Sequence, residues 1–218
     1  MKKIIFLGAS GNASVIYSTI QDIQDINKIK LKIKPIGFLD DKRKSFFNLI
    51  CYGKIEKKNI DKLIKDKNIY FVWTLISSKL RKKFIQKLKK LKIPNNRFIT
   101  IIHPNSNISN FSNIGKGVTI HAFVNIGPNT FIGDHVHIFS QSSIGHDTKI
   151  KSYSYLSGKS CIGANVNVGE GCFFGLNSSI RENLKIESWS TIGMGSVVIN
   201  NVQSNNTVVG NPARKLKK

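Results

Sequence analysis

The chain has 218 residues, 40% of them hydrophobic and 21% charged, with 17 Gly and 5 Pro. That apolar share can bury a core in one or two domains and excludes collagen-like and disordered classes. Thirty-four Lys and Arg against 12 Asp and Glu leave a formal charge of +22, a surplus that usually signals an anionic partner such as nucleic acid, a membrane surface or a phosphorylated small molecule.

The excess is uneven, with 24 basic and 7 acidic side chains in residues 1–100. A coding bias toward Lys, Ile and Asn would produce the same excess with no partner behind it. The basic residues are not interleaved with stacking aromatics, which disfavours a single-strand binder. Met1 to Leu7 begins like a signal peptide, but its apolar run stops at Gly8-Ala9-Ser10-Gly11-Asn12, too short for an h-region. No stretch reaches the roughly 20 apolar residues of a membrane span. A cytoplasmic, soluble protein is the expectation. Cys51, Cys161 and Cys172 lack C-x-x-C spacing, so neither a disulfide framework nor a zinc knuckle is indicated.

In chain order, Lys3–Leu7 reads as a strand, followed by the Gly8–Ala13 turn and a helix from Ser14 to about Ile23. Lys34–Leu39 reads as a second strand ending in Asp40-Asp41, and Tyr70–Leu75 as a third, with a Lys-rich helix from Ser78 to Leu91. This alternation predicts a small parallel α/β unit over residues 1–98. A Gly turn entering a helix gathers free backbone N–H groups that favour a phosphate, and acidic residues ending the next strand suit ribose or base contacts. By itself the loop is equally compatible with a tight turn of no further function.

From residue 99 onward a different order takes over. Beginning at Ile102, an aliphatic or aromatic anchor recurs at every sixth position through Val198, making 17 rows in phase. Four residues after the anchor stands a small or β-branched residue in nearly every row, as at Val118, Thr130, Ser142, Thr148 and Ser154; Leu184 is bulky. Gly follows the anchor directly at 115, 127, 133, 145, 163, 169, 175 and 193. Period six fits short strands joined by regular corners, where Gly is expected to supply unusual backbone angles. One row cannot bury its anchor, whereas stacked rows close a continuous apolar interior. Inward Ser and Thr are expected to bond to the next coil.

This is the hexapeptide-repeat signature, and residues 102–202 resemble the left-handed parallel β-helix acyltransferases. The resemblance implies coils of 18 residues with triangular section, a homotrimer, and active sites in grooves between prisms. Joined to a Rossmann-like α/β unit, the repeat resembles sugar acyltransferases of the sialic acid O-acetyltransferase type. It is most similar to the N-acetyltransferases of nucleotide-linked 4-amino sugars in surface-glycan pathways. The likeness runs from the Gly8–Gly11 turn to Val208–Arg214. It implies that Ser10, Gly11 and Asn12 meet the nucleotide diphosphate and Asp40 and Asp41 the nucleoside. The family commonly has His where Asn12 stands, and a Gly-Asn-Asn loop where this chain reads Trp73–Ser78, with Arg81 just beyond.

Acyl transfer requires a base for the nucleophile, a donor for the oxyanion and a shared site for two substrates. Of the five histidines, only His146 precedes a carboxylate, in Ile144-Gly145-His146-Asp147, two positions past its anchor where a side chain points outward. With a reference pKa near 6.5, an imidazole raised by a neighbouring acid is a base for neutral pH. The resemblance implies that His146 removes the proton and Asp147 raises its basicity. It also implies that Ala164, one coil on, offers its N–H to the thioester carbonyl. Tyr155 stands where some relatives carry a second His near the acetyl group. Leu176, Met194 and Gly195 are implied to line the pantetheine arm of acetyl-CoA from the adjacent subunit. His103, His121, His135 and His137 match no pattern, and no P-loop, nucleophile elbow or metal motif occurs.

The main expectation is an acetyl-CoA-dependent N-acetyltransferase of a nucleotide-linked amino sugar, with no metal, no nucleic-acid partner and no membrane insertion. The rivals are O-acetylation of sialic acid or a related sugar, and a non-catalytic trimeric nucleotide-binding scaffold. A zinc-dependent carbonic anhydrase on the same helix would need two His five residues apart, a spacing this chain lacks.

Overall fold

Ile4, Ile5, Phe6 and Leu7 are all fully buried in strand β1 (Lys2–Leu7), the pattern of a strand covered on both faces. The computed structural model describes residues 1–26 and 33–216, which fall into two units, Met1–Thr100 and Ile101–Lys218. In the first unit β1 leads into α1 (Gly11–Ile26), which buries Ala13, Ile16, Thr19, Ile20 and Ile23 along one stripe. There follow β2 (Ile33–Leu39), β3 (Ile50–Cys51), α2 (Lys57–Leu63), β4 (Ile69–Trp73) and α3 (Arg81–Lys90). All strand pairs are parallel, in the order β3–β2–β1–β4. The Lys-rich helix α3 turns Ile85 and Leu88 to the core and its lysines outward.

The three expected strands and two helices are present, with ends shifted by a few residues. β4 ends at Trp73, and Thr74 ties its end to β1: its N–H donates to Leu7 O (3.2 Å) and its hydroxyl shares one proton between the carbonyls of Leu7 (2.9 Å) and Gly8 (2.8 Å). β3 and α2 were not predicted. Two residues of strand and seven of a Lys-rich helix carry too little periodicity to register.

The second unit is a left-handed parallel β-helix. Its 17 two-residue strands, from Ile101–Ile102 to Val197–Val198, pair in parallel with the strand 18 residues on. Three faces result: one holds His137–Ile138 and Tyr155–Leu156, the second Ser143–Ile144 and Cys161–Ile162, the third Lys149–Ile150 and Asn167–Val168. From Ile120 to Val198 no anchor exceeds 4% exposure. Each such burial contributes about 2 kcal/mol, realised only when a neighbouring coil covers it. Ile102 remains 40% exposed, because no coil precedes it in this unit. The final coil is two residues shorter, pairing Ile186 with Val202 and Ile192 with Val208.

Inward hydroxyls bond across coils in a fixed way. Thr130, Ser142, Thr148, Ser154 and Ser160 each donate to the carbonyl 15 residues ahead, at 2.9 to 3.2 Å. The expected role of the glycines is corrected. Positive φ falls two residues later in the row, at Asn129, Asp147, Asn165 and Asn183 among others, not at the glycine after the anchor. That glycine is instead a close-approach residue: a Cβ on Gly145 would lie 2.5 Å from the Ala164 backbone nitrogen. The coils touch where the side chain is missing.

Candidate active site

The His146 corner joins the second face to the third. Its backbone is fixed from both sides, since Asp147 N–H donates to Pro128 O (3.0 Å) and His146 O accepts from Asn165 N–H (2.9 Å). Asp147 occupies the left-handed region at φ 58°, a conformation that Asp and Asn adopt more readily than most residues. This turns its carboxylate back onto the preceding ring, with His146 Nδ1 and Asp147 Oδ2 2.6 Å apart. The His146 bond, joined by one from Asn129, holds the Asp147 carboxyl below its ordinary pKa. An ionised carboxylate only accepts, so the neutral ring donates from Nδ1 and its Nε2 lone pair is left outward. The side chain is 60% exposed, open to a reactant.

Asn129 had not been recognised from the sequence. Its Nδ2 donates to Asp147 Oδ1 at 3.2 Å, so both carboxylate oxygens are held. Asn129, Asp147, Asn165 and Asn183 form one column at 18-residue spacing, and Asn165 likewise donates to Asn183 at 2.8 Å. Aligning rows by their third residue after the anchor would have exposed this column. The side chains of Asn129, His146, Asp147, Lys149, Asn165, Asn167 and Asn183 line a concavity of about 720 Å³. Asn129→Ala frees one carboxylate oxygen. Titrating the Asp147 carboxyl by NMR should then give a higher pKa than in the parent chain. Turnover should fall by about ten-fold, within the ~10²-fold that small misplacements of a reacting group cost.

Ala164 lies beside His146 on the next coil, and among the described residues no acceptor takes its N–H. The other implied residues are placed elsewhere on the prism. Leu176 and Met194 stack at the corner between the first and second faces, 54% and 75% exposed. Gly195 there adopts φ 63° and donates to Leu176 O at 2.8 Å. Tyr155 lies on the first face, stacked on Phe173 with ring centroids 5.0 Å apart. Burial pushes its hydroxyl to about 12, so it can donate but not act as a base. Within one chain, therefore, His146 and Ala164 come together, while Tyr155, Leu176, Met194 and Gly195 do not join them. His121, His135 and His137 are buried, which lowers their pKa to about 4, 4 and 3 and keeps them neutral.

In the first unit the Gly8–Asn12 turn and the end of β2 are tied together. Asp40 Oδ2 accepts the Ala9 N–H at 2.8 Å, while Oδ1 accepts Lys42 and Arg43 N–H at 2.8 and 2.9 Å. Partial burial pushes the Asp40 pKa up. The bonds from Arg43, Lys42 and Ala9, with the Arg43 charge, outweigh it and hold the carboxyl below its ordinary value. Asp41 accepts from Ile55 N–H (3.1 Å) and pairs with Lys87. Both acids thus shape the loop itself. Ser10 and Asn12 are half-buried and Gly11 exposed at the start of α1. Among the described residues no helix is long and apolar enough to cross a membrane, and no acidic, His or Cys group gathers as a metal site.

The chain thus joins a parallel α/β unit to a left-handed β-helix that carries an exposed His–Asp pair. The PglD N-terminal domain family matches residues 3–88, which lie within the α/β unit. The acetyltransferase domain of PglB from Neisseria gonorrhoeae FA1090 is 20% identical, with 99% of this chain and 100% of that one covered and a TM-score of 0.81. A variant of perosamine N-acetyltransferase from Caulobacter crescentus, solved with CoA and GDP-perosamine, is 21% identical, with 100% and 98% covered and a TM-score of 0.83. WeeI from Acinetobacter baumannii AYE is 24% identical, with 99% and 100% covered and a TM-score of 0.78. These likenesses show that both parts of the fold are shared over the full length. No curated protein matches the chain.

Proposed function

We propose that the protein is an acetyl-CoA-dependent N-acetyltransferase of a nucleotide-linked amino sugar, acting as a homotrimer in the cytoplasm. The observation that carries the reading is the 2.6 Å bond between His146 and Asp147 on an exposed corner. It leaves Nε2 as a base that nothing else in the row would require. The amine of the sugar attacks the thioester carbonyl, and His146 Nε2 takes the proton the nitrogen releases. The Ala164 N–H meets the oxyanion. The carbon–sulfur bond then breaks and the imidazolium returns its proton to the departing thiolate, giving amide and CoA.

Ser10, Gly11 and Asn12, at the positive N-terminal end of α1, are assigned to the acceptor diphosphate, beside the loop that Asp40 and Asp41 hold. Leu176, Met194 and Gly195 of a neighbouring subunit, with Tyr155 as a donor, are assigned to the acetyl-pantetheine arm. Two of the three similar structures named above are an acetyltransferase domain and a perosamine N-acetyltransferase, and the second holds CoA and GDP-perosamine. Thiol release from acetyl-CoA, measured against UDP-, GDP- and dTDP-linked amino sugars and free sialic acid, tests the acceptor. Turnover of an amino sugar nucleotide is the expected result; turnover of a hydroxyl acceptor alone would replace N- by O-acetylation.

A further inference from the structure

The third face of the β-helix carries a second polar feature, continuous with the His146 concavity but not used by the acid–base step. Outward-facing residues at alternate positions form two columns: Lys149, Asn167 and Lys185 in one, Lys151, Gly169 and Glu187 in the other. All six residues line a concavity of about 330 Å³, whose floor at Gly169 is closed by the backbone of Ser188 on the next coil. Lys149 and Asn167 border both concavities, so the two run together.

Lysines outnumber carboxylates on this shelf, with Lys149, Lys151 and Lys185 against Glu187. All three lysines are exposed and, among the described residues, none is ion-paired. Glu187 is already engaged, its Oε2 accepting both the N–H and the hydroxyl of Ser204 at 3.0 and 3.1 Å. Asp147, at the junction, is held by His146 and Asn129. Lys149 and Lys185 are two strand spacings apart, about 10 Å, with a neutral amide between them. That separation suits long side chains converging on a phosphate or diphosphate. One strand further, the register partner of Lys149 is Phe131, an aromatic ring 47% exposed. Cations beside an exposed ring are the two elements that hold a phosphate and its attached base.

We propose that this shelf is a nucleoside-phosphate subsite, with Lys149, Lys151 and Lys185 on the phosphates and Phe131 beneath the base. Two reactants of the proposed transfer contain that chemistry: the 3′-phosphorylated ADP end of CoA, and the nucleoside diphosphate of the acceptor, whose binding here would replace its assignment to the Gly8–Asn12 turn. The inference rests on the transferase reading only for the choice of these probes.

Titration calorimetry of the full chain with CoA, and separately with UDP, GDP and dTDP, tests it. Lys149→Gln and Lys185→Gln should each weaken one class of ligand by about ten-fold, Phe131→Ala should weaken the same class, and binding should fall with added salt. Loss confined to CoA assigns the shelf to the acyl donor, and loss confined to the nucleoside diphosphates assigns it to the acceptor. Circular dichroism melts of each variant establish that the prism is intact. Parent-like affinity for every probe in the folded double lysine variant would overturn the subsite. His146→Ala should bind all probes as the parent does. If that variant also keeps full turnover while the lysine variants lose binding, the acid–base reading fails and the shelf stands.

Discussion

His146→Ala is expected to lower kcat by at least about 10²-fold, with the KM for both substrates changed little. Alanine removes only the exposed bond from the ring to Asp147 Oδ2, while the backbone bonds that fix the corner are kept. The melting temperature should therefore be unchanged, which separates loss of chemistry from loss of fold. Asp147→Asn tests the other half of the pair. An amide can present its NH2 to Nδ1, favouring the tautomer that carries the proton on Nε2, where a base must have none. Its turnover should fall toward that of His146→Ala. A non-catalytic scaffold predicts no activity to lose and unchanged nucleotide binding in both variants. If activity is measured and His146→Ala retains it, another group is the base.

The stacked prism was legible in the sequence because burial acts on every row alike. An anchor that fails to face inward opens a void in a close-packed stack, so Ile120 to Val198 recur without a slip. The His–Asp pair was legible for a local reason, since both partners are adjacent and the left-handed residue folds one onto the other. What could not be read were partners fixed by register. Asn129 reaches Asp147 only because 18 residues make one coil, and Asp40 spends its oxygens on the backbone N–H of Ala9, Lys42 and Arg43. A backbone donor leaves no residue-type signature. The departure at Trp73–Ser78 also acquires a physical sense. Thr74 and Leu75 fill the space against Gly8, where an added Cβ would lie 2.5 Å from Leu75 Cδ2. The turn is thus built by side chains of this particular loop. The glycine that follows eight of the anchors serves close approach between coils rather than an unusual backbone angle, and at the His146 corner that approach bears on the proposed catalysis.

Gly145→Ala should damage both the prism and the reaction. The added methyl would stand 2.5 Å from Ala164 N, 2.7 Å from Gly163 C and 2.8 Å from Ala164 Cα. All three are backbone atoms, which cannot swing aside as a side-chain tip can. The corner must open, at a cost of roughly 1–3 kcal/mol typical of overpacking. Rows such as Ile150-Lys151 carry a side chain at this position, so close approach belongs to the glycine corners. Beneath His146, three coils in succession have it. Cβ atoms on Gly127, Gly145 and Gly163 would meet the backbone nitrogens of His146, Ala164 and Glu182 at 2.8, 2.5 and 2.6 Å. The glycine column thus sets the height of the imidazole assigned as base and of the N–H assigned to the oxyanion. Moving that donor by a few tenths of an ångström should cost up to about 10²-fold in turnover, the scale of losing one oxyanion donor. Thermal unfolding read together with kcat separates the two effects. A variant that melts earlier yet turns over at the parent rate below its transition would remove Ala164 from the mechanism. A lower kcat in folded protein, with parent-like affinity for CoA, is the outcome that the geometry of this corner requires.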